Sequence, residues 1–258
     1  MSAPSNPPRA ALVTGAARRI GRVIARSLAD RGWAVAIHHN TGGPEAEDLA
    51  RAIRDAGGRA AALGADLTRE AETRGLIPAA VEALGPLTLL VNNASPFMED
   101  GIGESRRDLW DLHMEVNLRA PVVLTEEFAR QLPEHAGGNV VNLIDQRVWN
   151  LTPHYLSYTI SKSALWTATR TLAMALAPRI RVNAIGPGPT LRSDRQTEDE
   201  FRRQWEDIPL RRRTDPAEIA AAIQFILDAP AMTGQMIALD GGEHLGWAQH
   251  PSQVLPIE

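Results

Sequence analysis

Tyr158 and Lys162 stand four residues apart in an amphipathic run, and a helix there would put both on one face, with roughly 5–6 Å between β-carbons. A phenol titrates near about pH 10, so moving a proton at neutrality asks for a shift of about 3 units, roughly 4 kcal/mol. An ammonium beside the phenol favours its ionised form and lowers that pKa. The pair is therefore suited to general acid–base work, although a tyrosine and a lysine at this spacing also decorate ordinary helix surfaces.

A second feature gives the pair a context. In "VTGAARRIGR", residues 13–22, Gly15 directly follows an apolar run and Gly21 falls one turn into an amphipathic one. The first allows a tight turn and the second close helix packing, while the free N–H groups of the helix start suit a pyrophosphate. Arg19 occupies a position where such turns usually carry glycine. The next apolar run ends "AIHHNTGG", with no carboxylate before Glu45 to hold a ribose 2′-hydroxyl, so a 2′-phosphate is not repelled. Arg18 and Arg19 add permanent charge and donor forks suited to phosphate. These residues point to NADP(H), with Arg18, Asn40 and Thr41 as contacts; the plain alternative leaves both arginines solvated on the first helical turn.

The elements that must position these groups follow from hydrophobic patterning. Short Val-, Ile- and Leu-rich runs at 10–14, 33–38, 59–64, 87–91, 139–144, 180–184 and 235–239 read as strands buried on both faces. Amphipathic stretches at 20–31, 44–56, 70–84, 107–132, 155–177 and 215–227 read as helices, the third kinked or interrupted at Pro78. Their alternation predicts an α/β fold: one Rossmann-type domain, 10–258, whose doubly wound parallel sheet has helices on both faces. Residues 1–9 read as a loose tail. The charged stretch 189–213 is long for a connection and reads either as a solvated surface helix or as a lid over the carboxyl ends of the strands.

Composition narrows the function. A net charge of −4 over 258 residues offers no basic face for nucleic acid. No apolar run is long enough for a membrane span and no signal peptide is evident, so the expectation is a cytoplasmic protein. The absence of cysteine excludes disulfides and thiol nucleophiles. His38, His39, His113 and His154 are dispersed, and no metal is assigned.

Several separate motifs then fall in one order: "TGAARRIG" at Thr14, "ADLT" at Ala65, "NNAS" at Asn92, Asn117 within "VNLRAP", "YTISK" at Tyr158, "NAIGPG" at Asn183 and "LDGG" at Leu239. From Ala10 to Gly242 the chain resembles a short-chain dehydrogenase/reductase. That resemblance implies that Gly15, Arg18, Arg19 and Ile20 form the cofactor turn, that Asp66 and Leu67 border the adenine, and that Asn93 and Ala94 pass the middle of the cofactor. Pro187 would lie beside the nicotinamide. It further implies that Asn117 orders a proton-relay water, that Tyr158 donates the proton, and that Lys162 also holds the nicotinamide ribose. A homo-tetramer is implied as well, with the C-terminal tail around Trp247 reaching a neighbour.

The departures are informative. The usual family member has serine thirteen residues before the tyrosine, where this chain has Asp145. A hydroxyl donates to a carbonyl oxygen, whereas an ionised carboxylate only accepts and repels it. Either Asp145 works protonated, or the substrate presents N–H groups there. Arg19, Asp145 and "NNASPF" together resemble the pteridine reductase branch, including the dihydromonapterin and dihydrofolate reductases of this fold. The branch implies that Arg19 spans the phosphates and the pterin edge, that Ser95 hydrogen-bonds the ring, and that Phe97 sandwiches it against the nicotinamide. Thr41 stands where some pteridine reductases carry arginine for the 2′-phosphate. The small-molecule substrate so implied is a dihydropterin or dihydrofolate, reduced at a C=N bond. The alternatives are a carbonyl reductase or alcohol dehydrogenase of the same fold, and a binding protein that keeps the cofactor without catalysis.

Overall fold

In a computed structural model, residues 9–193 and 195–246 are described; the readings for residues 1–8 and for Trp247 and the tail beyond it lie outside them. Seven strands, β1 (Ala10–Val13), β2 (Ala34–His39), β3 (Ala60–Gly64), β4 (Leu89–Asn92), β5 (Gly138–Leu143), β6 (Ile180–Pro187) and β7 (Met236–Leu239), form one sheet. Its order is β3-β2-β1-β4-β5-β6-β7, and every pairing is parallel. The order reverses between β1 and β4, and at such a point the loops leaving the carboxyl ends diverge and open a crevice. Arg9 is already tied in, its carbonyl accepting from the Ala34 N–H at 2.8 Å.

The five inner strands are buried on both faces because two helical layers sandwich the sheet, while the edge strands β3 and β7 are only partly covered. Helices α1 (Arg19–Asp30), α2 (Gly43–Asp55) and α8 (Pro216–Asp228) cover one face. There Ile24, Leu28, Ile53, Ile219 and Ile223 pack with Val13, Ile37 and Val91. The other face carries α3 (Glu70–Leu84), α5 (Ala120–Gln131) and α6 (Leu156–Leu176), where Leu76, Ile77, Leu124 and Phe128 meet Leu12, Leu90 and Val140. Neighbouring strand residues thus feed different layers, which explains why the runs are continuously apolar rather than alternating.

Two expectations are corrected. Helix α3 runs unbroken through Pro78, with Thr73, Leu76, Ile77, Ala80 and Leu84 buried. Pro78 lies on the exposed side, so the Arg74 carbonyl that loses its donor can turn to solvent while the buried stripe holds the helix together. The long helix foreseen at 107–132 is present without a break from Arg107 to Gln131, but a π turn (Glu115–Arg119) separates α4 (Arg107–Met114) from α5 within it. Asn117 sits inside that π turn and is fully buried. Strand β6 also runs three residues past its predicted end, to Pro187, which brings that proline to the crevice. The stretch 189–213 folds partly as α7 (Glu198–Glu206), started by a reciprocal cap between Thr197 and Glu200. No helix among the described residues is long and apolar enough to cross a membrane.

Candidate active site

The turn after β1 is held from three sides. The Thr14 hydroxyl accepts from the Asn93 and Ala94 N–H groups, both at 2.9 Å, and Asn93 Nδ2 returns a bond to the Thr14 carbonyl at 2.8 Å. Gly15 has φ +62°, and a β-carbon there would come within 3.0 Å of Ala94 Cα, so the position needs glycine for both reasons. His38 supplies the third side. Gly15 N–H donates to its Nδ1 at 3.0 Å, which leaves the proton on Nε2 to reach the Ala65 carbonyl at 3.1 Å. Motif reading had passed over His38 as a dispersed histidine; its site role is visible only once β2 is placed beside β1.

Burial lowers the His38 pKa to about 4, so the folded protein keeps this ring neutral. In the unfolded chain it takes up a proton as pH falls below about 6.5. The unfolded state therefore binds more protons between these values, and stability is lost as pH drops from 6.5 towards 4, by about 3 kcal/mol from this residue alone. Denaturant titrations at pH 7 and pH 5 should show this slope in the wild type and a flatter one in His38→Asn. Equal slopes would sink the assignment.

Arg19 adopts φ +54°, a left-handed conformation that costs a non-glycine residue roughly 1–2 kcal/mol. Its guanidinium donates to the Leu191 and Arg192 carbonyls at 3.0 and 2.9 Å. Arg19 thus clasps the first residues of the 189–213 stretch. Arg195, further along, donates to the Phe97 carbonyl. Leu191, Ser193, Gln196, Phe201 and Gln204 from this stretch line the same cleft as Gly15 and Tyr158.

That cleft, of about 810 Å³, lies at the carboxyl ends of the strands. Of the predicted residues it gathers Gly15, Arg18, Arg19, Ile20, Asn40, Asp66, Leu67, Asn93, Ala94, Ser95, Phe97, Asp145, Tyr158, Lys162 and Pro187. Thr41 and Asn117 do not line it. Arg18 is not a free cation: its guanidinium pairs with Glu45, Nη2 to Oε1 at 2.5 Å. Both side chains are about half exposed, so the pair is weak and exchangeable. Thr68 donates through both N–H and hydroxyl to Asp66 Oδ1, and these bonds hold the Asp66 carboxyl below its ordinary range.

At the centre, Tyr158 Oη donates to Asp145 Oδ2 at 2.8 Å. Asp145 Oδ1 accepts from the Arg147 N–H at 2.8 Å and so caps the short turn Gln146–Val148. Tyr158 is 5% exposed. Burial and the Asp145 carboxylate raise its pKa well above the ordinary value, against weaker opposite pulls from Arg147 and the Ser95 hydroxyl. This reverses the expectation that the lysine would lower it. Lys162 Nζ lies 5.8 Å from the phenol ring centroid and donates to the Leu143 carbonyl at 2.7 Å; its own pKa is pulled down to about 8 by burial. Lys162 is also the single lysine among the chain's 27 Lys and Arg residues.

Phe97 stacks face to face on Tyr155, centroids 4.4 Å apart, and meets Tyr158 edge-on at 4.6 Å. Asn117 Nδ2 donates to Ser161 Oγ at 3.1 Å and to the Pro96 carbonyl at 3.3 Å, while its Oδ1 is buried without a partner among the described residues. The cleft also includes Tyr155, Arg147 and Glu243, none of them foreseen. Arg147 lies two residues after Asp145 and could have been found from it; Glu243 carried no local signal.

The comparisons agree with this geometry. Residues 15–244 match the sequence profile of the family described as enoyl-(acyl carrier protein) reductase. A short-chain type dehydrogenase/reductase of Picea abies is 33% identical over 190 residues, 70% of each chain. The chain belongs to the short-chain dehydrogenase/reductase family. Among solved structures, FolM alternative dihydrofolate reductase 1 from Brucella canis, complexed with NADP, superposes with a TM-score of 0.91 at 51% identity, covering 95% of this chain and 97% of that one. The same protein from Brucella suis, also with NADP, gives 0.91 at 52% identity with equal coverage. As a short-chain dehydrogenase/reductase the chain is an oxidoreductase.

Proposed function

We propose that the protein is an NADPH-dependent reductase that saturates a C=N bond of a dihydropterin or dihydrofolate. The observation that carries the reading is the Tyr158–Asp145 hydrogen bond. Asp145 presents an acceptor beside a phenol that keeps its proton. A substrate bringing N–H groups to that acceptor is favoured, whereas a carbonyl oxygen would meet a like charge. The likeness to the two Brucella dihydrofolate reductases supports the same substrate class.

The residues present fit the cofactor. Gly15 and Gly21 leave a cradle that β-carbons would fill, α1 begins without a side-chain cap, and the end of β2 carries no carboxylate. Gly15, Arg18, Arg19 and Ile20 would hold the pyrophosphate end, with Arg18, Asn40 and Thr41 at the 2′-phosphate. Asp66 and Leu67 would border the adenine, Asn93 and Ala94 the middle, and Tyr158, Lys162 and Pro187 the nicotinamide end. When bound, the cofactor supplies hydride. The chain supplies the proton: a substrate N–H donating to Asp145 displaces the phenol from it, and Tyr158 then donates to the ring nitrogen. Asn117 Oδ1, buried and unpartnered, provides the acceptor that a relay water needs. Ser95 and Phe97 would contact the ring, Phe97 sliding its free face over it. The cytoplasmic setting and a homo-tetramer belong to this reading; Met174 on α6 and Phe225 on α8 are exposed and available to a second copy.

Arg19→Gly separates strain from function. Removing the left-handed strain offsets the two lost exposed bonds, so the change in stability is expected to stay within about 1 kcal/mol. KM for the pterin should nevertheless rise, because the lid loses its clasp. An unchanged KM would show that Arg19 is dispensable. The reading as a whole is tested by following NADPH absorbance with dihydrobiopterin, dihydromonapterin or dihydrofolate, with NADH in parallel. Oxidation that requires the pterin supports it. Cofactor binding without pterin-dependent turnover overturns it, and turnover of ketones alone would replace it with a carbonyl reductase.

A further inference from the structure

Glu243 has no part in the chemistry above, yet its carboxyl faces the same cleft. It starts the 3-10 turn Glu243–Leu245 just after β7. Its backbone is fixed, the N–H donating to the Asp240 carbonyl at 3.2 Å and the carbonyl accepting from Asn150 Nδ2 at 3.0 Å. The side chain lies over Gly188, where an added β-carbon would come within 3.0 Å of Oε2. The same β-carbon would meet Asp240 Cα and Cβ closer still, at 2.8 Å, so the glycine makes room for Asp240 first and for the carboxyl second. Neither of its oxygens accepts a hydrogen bond or joins an ion pair with any described residue.

Its neighbours are committed elsewhere. Asp145 holds Tyr158 and the Arg147 N–H. Asp240 takes the Gly242 and His244 N–H groups and the His244 ring, at 2.6 Å. Arg147 donates to the Thr152 hydroxyl, lies over the Tyr155 ring, and has an Nε that is buried and unpartnered. A half-buried carboxyl is thus left without a hydrogen-bond partner among the described residues in the wall of the cleft, and the Arg147 guanidinium lines the same cleft without forming an ion pair with it. Such groups are normally satisfied, and a hydroxyl, which both donates and accepts, can serve the two at once.

We propose that Glu243 is a substrate-specificity residue that accepts a hydrogen bond from a hydroxyl on the side chain of the reduced heterocycle, with Arg147 as the complementary donor. The proposal rests on the reductase reading above. Asp145 and Tyr158 serve the reacting ring, and Glu243, on a different element, meets a different part of the same molecule. Burial, together with Asp145 and Asp240, raises the Glu243 pKa to about 7, while Arg147 pulls it back; His244, next in the chain, is tied to Asp240. An ionised carboxylate accepts more strongly than a neutral acid, so affinity for a hydroxylated side chain improves as pH rises through about 7.

The test compares 7,8-dihydrobiopterin, whose side chain bears hydroxyls, with 6-methyl-7,8-dihydropterin, which has the same ring and none, on wild type and Glu243→Gln from pH 5.5 to 8.5. The expected result at pH 8 is a KM for dihydrobiopterin about tenfold higher in the variant, as for one charged hydrogen bond made neutral. KM for the methyl compound, kcat and NADPH affinity should stay within about twofold. The wild-type KM for dihydrobiopterin alone should fall through pH 7. An equal KM rise for both compounds, or none, overturns the proposal. If the variant misfolds, the wild-type comparison decides by itself: matching pH profiles for the two compounds overturn it. Should wild type reduce neither pterin, the reductase reading fails and takes this proposal with it, an outcome visible before any variant is made.

Discussion

Tyr158→Phe should lower kcat for pterin reduction by roughly 10²–10⁴-fold, the usual contribution of a positioned general acid, while NADPH binding stays within about twofold. The phenol is buried and its proton is held by burial and by Asp145, so it is the acid form at every working pH. Phenylalanine keeps the ring and its edge-on contact with Phe97 but offers nothing to the substrate nitrogen. It also leaves Asp145 Oδ2 without its donor, at a cost of about 1–3 kcal/mol in stability. Activity should therefore be read together with a denaturation curve and an NADPH fluorescence titration. Activity within tenfold of wild type, with cofactor bound, would falsify the proton-donor role.

Asp145→Ser should exchange one substrate class for another. Serine is as good a cap as aspartate, so the short turn at Gln146–Val148 and the fold are expected to survive. The acceptor for substrate N–H groups is gone, and kcat/KM for the pterin should fall about 100-fold, the cost of one charged hydrogen bond of some 2–3 kcal/mol. A hydroxyl now points where a carbonyl oxygen could accept from it, and ketone reduction should become measurable. Unchanged pterin turnover would remove Asp145 from the mechanism.

Legibility in the sequence divides along physical lines. The five inner strands were readable because burial on both faces leaves apolar runs without alternation, and the glycine turn because φ and packing constraints leave few other residues possible. Pro78 misled because a proline on an exposed helix face costs one hydrogen bond, which water can replace, and that balance depends on which way the residue faces. The π turn at Asn117 has no signature in hydrophobic period, since its extra residue is absorbed by burial against α6. Charge relations were the least legible. The spacing of Tyr158 and Lys162 was right, but the sign of the tyrosine shift depended on Asp145 being within hydrogen-bonding distance and on Lys162 turning to the Leu143 carbonyl. Arg18 met Glu45 only because α2 starts beside α1. Glu243 reached the cleft through the loop after β7, where no repeat or period exists to read.

The scarcity of lysine at a site so rich in arginine turns into an experimental handle. Because Lys162 is the single lysine in 258 residues, growth on 13C-ε-labelled lysine would give a carbon spectrum with one protein line, reporting from inside the catalytic cleft. With a pKa near 8, that line should move through its titration in the range where most buffers work. Cofactor, pterin and each variant discussed above could then be compared by the displacement of one resonance, which separates loss of a charge relation from loss of the fold without any turnover being measured.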